Sequence, residues 1–191
     1  MQEQTGDKHY TYADYAGWDD GVRYELIEGL PHAMAPAPSP EHQRLSGSLH
    51  AQLWQFLRHE PCEVFAAPFD VRLDPDGADD TVVQPDLVIV CDLSKIDDKG
   101  YRGTPDMVIE ILSQSSSTRD KLLKFNLYLC AGVREYWIID PESRTVQVCV
   151  LKDGEYTVKA YGEKDSVPVH VLTGCVIDLG EVFAENSVTP P

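Results

Sequence analysis

The sequence predicts an α/β protein, a sheet with helices on its faces. Three observations carry this. Two short runs, residues 81–90 and 107–112, place apolar side chains on both faces, as strands buried on both sides do. From His42 to His59, Leu45, Leu49, Leu53, Phe56 and Leu57 recur at helical spacing. A second helical stretch, "TRDKLLKFNLYLCAGV", stands between the 107–112 strand and "EYWIIDP". That order predicts a strand–helix–strand unit over 107–140, with a right-handed crossover.

The elements follow in chain order. "YTYADYAGWDDG" reads as a short helix and a turn, and "VRYELIEGLPHAMA" as two short strands around a Gly-Leu-Pro break. "PAPSPEH" is a proline-rich loop, after which Ser39 or Pro40 opens the first long helix. "CEVFAAPFDVRLD" reads as one strand and "PDGADD" as a turn. Cys91 to Thr104 is polar and reads as a loop. The second helix ends at Gly132, a C-cap signal. "TVQVCVLKDGEYTVKAY" is a hairpin turning on Asp153-Gly154, and the tail "NSVTPP" is expected to fray.

At 191 residues the chain fits one domain, with no linker or internal repeat. Its 42% apolar content suits a folded protein. No apolar run approaches the ~20 residues of a membrane span, and "MQEQTGDKHYTY" lacks a signal-peptide core. A cytoplasmic protein that does not enter a membrane is the expectation. Five cysteines without a CxxC pair read as buried thiols in a reducing compartment. Net charge is −16, which repels phosphate backbones and lacks the basic footprint of most nucleic-acid binders.

Against this background two carboxylates stand out. Asp86 interrupts "TVVQPDLVIV", and Glu110 interrupts "MVIEILS". A lone ionised carboxylate in an apolar interior is costly. On neighbouring strands in register, the two reach one ion, and Mg²⁺ suits a pair of carboxylates with waters and phosphate oxygens completing its shell. Asp106 also lies on the strand face of Glu110, but roughly 13 Å along it, too far to share a metal. On the helix, Asp120, Lys124, Tyr128 and Gly132 are spaced by four and form one stripe. Lys124, between Leu123 and Phe125, is either a solvated lysine paired with Asp120 or an ammonium that positions water or steadies a phosphate. Gly-rich phosphate loops, HExxH and GxSxG elbows are absent from the sequence.

Pro85-Asp86, then Glu110 in an apolar strand, then a helical lysine resembles the PD-(D/E)XK nuclease superfamily. More narrowly, "YELIEG", "SPEH", "VVQPDLVIV", "PDMVIEILSQSS" and "DKLLKFNLYLCAGVREYWIIDP" resemble the Uma-two family of restriction-endonuclease-like proteins, over a core of about residues 10–183. The resemblance implies a restriction-endonuclease-like mixed central sheet flanked by helices, filling residues 1–191 as one domain. The superfamily pattern puts lysine two residues after the strand acid. Here that position is Leu112, and the resemblance implies that Lys124 takes the role from the following helix.

The implied activity is a metal-dependent endonuclease hydrolysing DNA phosphodiester bonds. Asp86, Glu110 and Lys124 would be catalytic; Asp86, Glu110 and Glu28 would hold Mg²⁺, or Mn²⁺ in its place; Glu28, Gln84 and His42 would support the site. For each supporting residue a plainer role stays open: Glu28 as a hairpin-turn acid, His42 as a helix-start contact, Gln84 as a polar strand residue. Asp70 sits beside Asp86 or is an exposed strand acid, Ser113 caps or shapes the following loop, and Tyr128 and Trp137 read as packing. A dimer is expected, as in nucleases that cut two strands. The alternative is a non-catalytic binding or assembly module on the same fold, which the charge and Leu112 favour. A mimic of DNA would need its acids exposed in stripes.

Overall fold

A computed structural model describes residues 8–34, 37–73, 77–113 and 118–184. The tail from Asn186, and parts of the proline-rich loop, of "PDGADD" and of the serine-rich break after Ser113, lie outside the described residues.

The chain begins with α1 (Tyr12–Tyr15) and the hairpin β1 (Tyr24–Ile27) and β2 (Leu30–Ala33). Ile27 pairs with Leu30, so the turn is Glu28-Gly29 rather than a Gly-Leu-Pro break. Both turn residues have positive φ, 50° and 74°, as tight two-residue hairpins require. Helix α2 (Pro40–Leu57) starts where the sequence predicts. The Ser39 side chain accepts the His42 N–H, and Pro40 fills the first helical position, where no N–H is needed.

Both predicted long strands in the middle of the chain are split. "CEVFAAPFDVRLD" becomes β3 (Glu63–Ala66) and β4 (Val71–Arg72), on either side of a cis Ala67–Pro68 bond. Residues 81–90 become β5 (Val82–Val83) and β6 (Leu87–Val90). Pro85 has no N–H to give to a central ladder, and the strand breaks there. The predicted loop from Cys91 to Thr104 holds a 3-10 turn at Leu93–Lys95 and the hairpin β7 (Ile96–Asp97) and β8 (Gly100–Arg102).

Next come β9 (Met107–Ile111), α3 (Thr118–Cys130) and β10 (Glu135–Asp140). β9 and β10 pair in parallel across the intervening helix, the crossover topology expected of 107–140. Gly132, at φ 79°, ends α3 with the Val133 N–H on the Tyr128 carbonyl and its own N–H on Leu129, a Schellman closure. The long hairpin β11 (Thr145–Lys152) and β12 (Glu155–Gly162) turns on Asp153-Gly154. A small pair, β13 (Ser166–Pro168) and β14 (Val176–Asp178), and α4 (Leu179–Val182) close the described chain.

The central sheet runs β12-β11-β10-β9-β6-β3 and is mixed; a second sheet runs β2-β1-β5-β4-β8-β7. Alternation sorts the central strands. Leu87, Ile89, Met107, Ile109 and Trp137 pack with the Leu45–Leu49–Leu53–Leu57 stripe of α2. Val88, Val90, Val108, Tyr136 and Ile138 pack with Tyr128 of α3 and with Ile27, Val71 and Val83 of the second sheet. Two of the chain's passages between the sheets, at 67–70 and at 84–86, meet where the Ala67 N–H donates to the Asp86 carbonyl.

The cysteines depart from the expectation of free thiols throughout. Cys62 and Cys91 form a disulfide, while Cys130, Cys149 and Cys175 are free. Glu63 pairs with Val90 in antiparallel register, so the next position outward brings these two cysteines face to face.

Candidate active site

The seam between the sheets gathers the polar side chains. β6 and β9 are antiparallel, with Leu87 opposite Ile109. Continuing that register by one residue brings Asp86 alongside Glu110, close enough that its charge raises the Glu110 proton affinity. Directly opposed residues have Cβ atoms roughly 5 Å apart, within reach of a shared ion. Asp86 is therefore at a strand entrance and not in a strand interior. Its Oδ2 accepts the Ile111 N–H at 2.7 Å, which occupies part of the carboxylate's hydrogen-bonding capacity.

Glu110 meets α3. Its Oε1 accepts from Lys124 Nζ at 3.0 Å and from the Tyr128 hydroxyl at 2.7 Å. Lys124 and Tyr128 are four apart on the helix, so both reach the same carboxylate. Lys124 Nζ also lies 2.5 Å from Glu25 Oε1 on β1. Glu25 Oε1 in turn accepts the Gln84 backbone N–H at 2.9 Å. The side chains of Glu25, Glu110 and Lys124 are 10%, 18% and 17% exposed, so their mutual attraction is weakly screened.

Two carboxylates, Glu110 and Glu25, share the Lys124 ammonium, with the Asp86 charge close by, and the proton affinities follow from that imbalance. Burial pushes Glu110 up to about 7; the Lys124 charge opposes the rise, and the Asp86 and Glu25 charges add to it. Burial disfavours the Lys124 ammonium, but Glu110 and Glu25 outweigh it and hold its pKa above the ordinary lysine value. Burial and the Glu110 charge keep the Tyr128 hydroxyl protonated, as a donor.

His42, fixed at the start of α2 by the Ser39 cap, places Nε2 3.2 Å from Asp86 Oδ2. That hydrogen bond holds its pKa above the usual imidazole value, against burial. Its Nδ1 is buried with no partner among the described residues. The Gln84 side chain turns away from Asp86, donating to Asp70 Oδ1 at 2.7 Å and to the Tyr15 hydroxyl at 3.0 Å. Asp70 is thus neither exposed nor in contact with Asp86; burial raises its pKa, and Gln84 and Tyr15 moderate the rise.

Of the sequence candidates, Asp86, Glu110, Lys124 and His42 are brought together, and Gln84 joins through its backbone. Glu28 is not. It is exposed in the β1–β2 turn, its backbone N–H on Thr81 Oγ1. Glu25, three residues earlier and buried, stands where Glu28 was expected. The sequence held a signal for this: Glu-Gly is a turn pair, and that assigns Glu25 to the strand. Tyr128, read as packing, also contacts the cluster. Trp137 is core, its indole N–H on the buried Glu135. Asp106 sits at the other end of β9, paired with Arg134 and the Cys91 N–H.

The donor set fits a hard divalent cation of the Mg²⁺ kind. Asp86 and Glu110 supply carboxylate oxygens from adjacent strands, and the cluster carries excess negative charge. Among the described residues no group of three or more His, Cys, Asp or Glu side chains is arranged to hold a metal, so a closed four-ligand centre does not fit.

The family model described as "Uma2: Putative restriction endonuclease" matches residues 11–180. A solved structure titled as "a putative nuclease belonging to DUF820 from Anabaena variabilis ATCC 29413" superposes with a TM-score of 0.73 at 18% identity, covering 91% of this chain and 97% of that one. That likeness establishes the shared fold. No curated protein matches the chain. Among the described residues, no helix is long and apolar enough to cross a membrane.

Proposed function

Because the chain belongs to the Uma2 family of restriction-endonuclease-like proteins, we propose that it is a metal-dependent nuclease hydrolysing DNA phosphodiester bonds. The observation that carries this reading is the convergence of Asp86, Glu110 and Lys124 at the seam, from three separate elements. Asp86 and Glu110 would hold Mg²⁺, or Mn²⁺ in its place, and Glu25 takes the supporting position first given to Glu28. Such an ion supplies positive charge to a phosphate oxygen and acidity to an attacking water.

The chain's own residues do the rest. Lys124 stays protonated through the neutral range, because two carboxylates hold its pKa up. It therefore serves as a fixed positive charge and hydrogen-bond donor toward phosphate, rather than as a general base. Tyr128 and Lys124 orient Glu110, and His42 with the Ile111 N–H orients Asp86. A proton on Glu110 competes with a cation for the same carboxylate, so metal affinity rises with pH through about 7.

The test is cleavage of plasmid and single-stranded DNA with Mg²⁺ or Mn²⁺ by wild type, Asp86→Asn and Glu110→Gln. Metal-dependent cutting lost in both variants is the expected result; cutting that persists in either one refutes the assigned roles. A second reading, a non-catalytic binding module, is favoured by Lys124 being engaged by two carboxylates and by the net charge of −16. Calorimetry separates the two: absence of Mg²⁺ and Mn²⁺ binding at millimolar metal selects the module.

A further inference from the structure

Next to Gln84 lies a cavity of about 410 Å³. Tyr15, Trp18 and Tyr24, all half-buried, line it. Trp18 packs edge-on against both tyrosines, at ring-centroid distances of 5.5 and 5.3 Å. Polar groups are fixed beside the rings. Asp70 Oδ1 accepts from Gln84 and from the Tyr15 hydroxyl, and Arg23 Nη2 donates to Gln84 Oε1 at 2.5 Å. Arg23 and Lys99 add positive charge to the lining, in a chain with 32 acids and 16 bases.

The cavity adjoins the carboxylate cluster. The Gln84 side chain lines the cavity, while its backbone N–H donates to Glu25 Oε1, the oxygen that also meets Lys124. Aromatic surface, fixed polar groups that include Arg23 through its bond to Gln84, and Lys99 at the rim together match a nucleotide: the base face stacks, its edge hydrogen-bonds beside Arg23, Gln84 and Asp70, and its phosphate is attracted by Lys99.

We propose that this cavity receives an unstacked base of single-stranded DNA, adjacent to the phosphate handled at Asp86, Glu110 and Lys124. The proposal rests on the nuclease reading of that cluster. It makes single strands and frayed ends the preferred substrate, since a duplex keeps its bases stacked. The aromatic rings supply base-independent-of-sequence affinity to a protein whose overall charge disfavours binding through phosphates alone.

The probe is single-stranded hexadeoxycytidylate against a fully abasic hexamer with the same phosphates, titrated at fixed low salt with Ca²⁺ replacing Mg²⁺. Wild type should bind the base-containing strand about tenfold or more tightly than the abasic one. Trp18→Leu, and Arg23→Ala at an exposed position, should each lower that ratio at least threefold. Trp18 also packs in a small core, so if Trp18→Leu does not fold, the Arg23→Ala ratio decides. Equal affinity for the two strands, undetectable binding of both, or an unaltered ratio in Arg23→Ala overturns the proposal. DNA cleavage is scored separately. Base-independent binding with intact cleavage removes the cavity's role and leaves the nuclease reading; base-dependent binding without cleavage does the reverse.

Discussion

Neutralising Glu110 should stabilise the fold while removing the proposed metal site. The folded carboxyl has its pKa raised from 4.5 to about 7, chiefly by burial. Between those values the folded state keeps a proton that the unfolded state has lost. Wild-type stability from this group is therefore full below about 4.5, falls as pH rises, and is lost above about 7. At about 1.4 kcal/mol per pH unit the penalty approaches a ceiling of about 3 kcal/mol. A glutamine keeps an acceptor oxygen for Lys124 and Tyr128 but gives up the charge attraction with Lys124. We expect Glu110→Gln to gain about 1–3 kcal/mol over wild type at pH 8, and under about 1 kcal/mol at pH 5. For a chain of this size that corresponds to a rise in Tm of about 3–10 °C at pH 8. The assay is urea and thermal unfolding of both proteins in EDTA from pH 5 to 8, repeated with Mg²⁺. Metal should raise wild-type stability and leave the variant unchanged. A variant less stable than wild type at pH 8, or one whose pH curve runs parallel to wild type, refutes the reasoning.

Two further outcomes follow from the same geometry. In Asp86→Asn, His42 loses the anionic partner that raises its pKa, so its imidazole titration by NMR should move down toward the ordinary value; an unmoved titration contradicts the Asp86 contact. Glu28→Asn should leave Mg²⁺ affinity by calorimetry unchanged and raise stability by up to about 1 kcal/mol, because asparagine tolerates positive φ; Glu25→Gln should instead weaken metal binding. The reverse pattern would restore Glu28 to the site.

Part of the site was legible because it depends on local chemistry. A carboxylate within an apolar strand is visible as an anomaly, and a lysine four residues from a tyrosine on one helix stripe is visible as a spacing. Asp86 and Glu110 were named on those grounds, while Lys124, visible on its stripe, took a role at the site only from the family resemblance. Glu25 was not, because choosing between two acids in "YELIEG" depends on where the hairpin turns. The Glu-Gly pair with positive φ decides that, and its signal was outweighed by the Leu-Pro that follows. Tyr128 was missed because a buried tyrosine and a tyrosine holding a carboxylate look alike in sequence.

The sequence by itself determined the short first helix, the two long helices, the β9–α3–β10 unit and the acids Asp86 and Glu110 of the two apolar runs, since periodicity, caps and turn residues act over a few positions. Only the tertiary structure decided that "TVVQPDLVIV" crosses from one sheet to the other, that Cys62 meets Cys91, and that Glu25, rather than Glu28, shares Lys124 with Glu110. Those outcomes depend on which distant strands pair and in what register, and strand pairing is a long-range choice that no short window of residues contains.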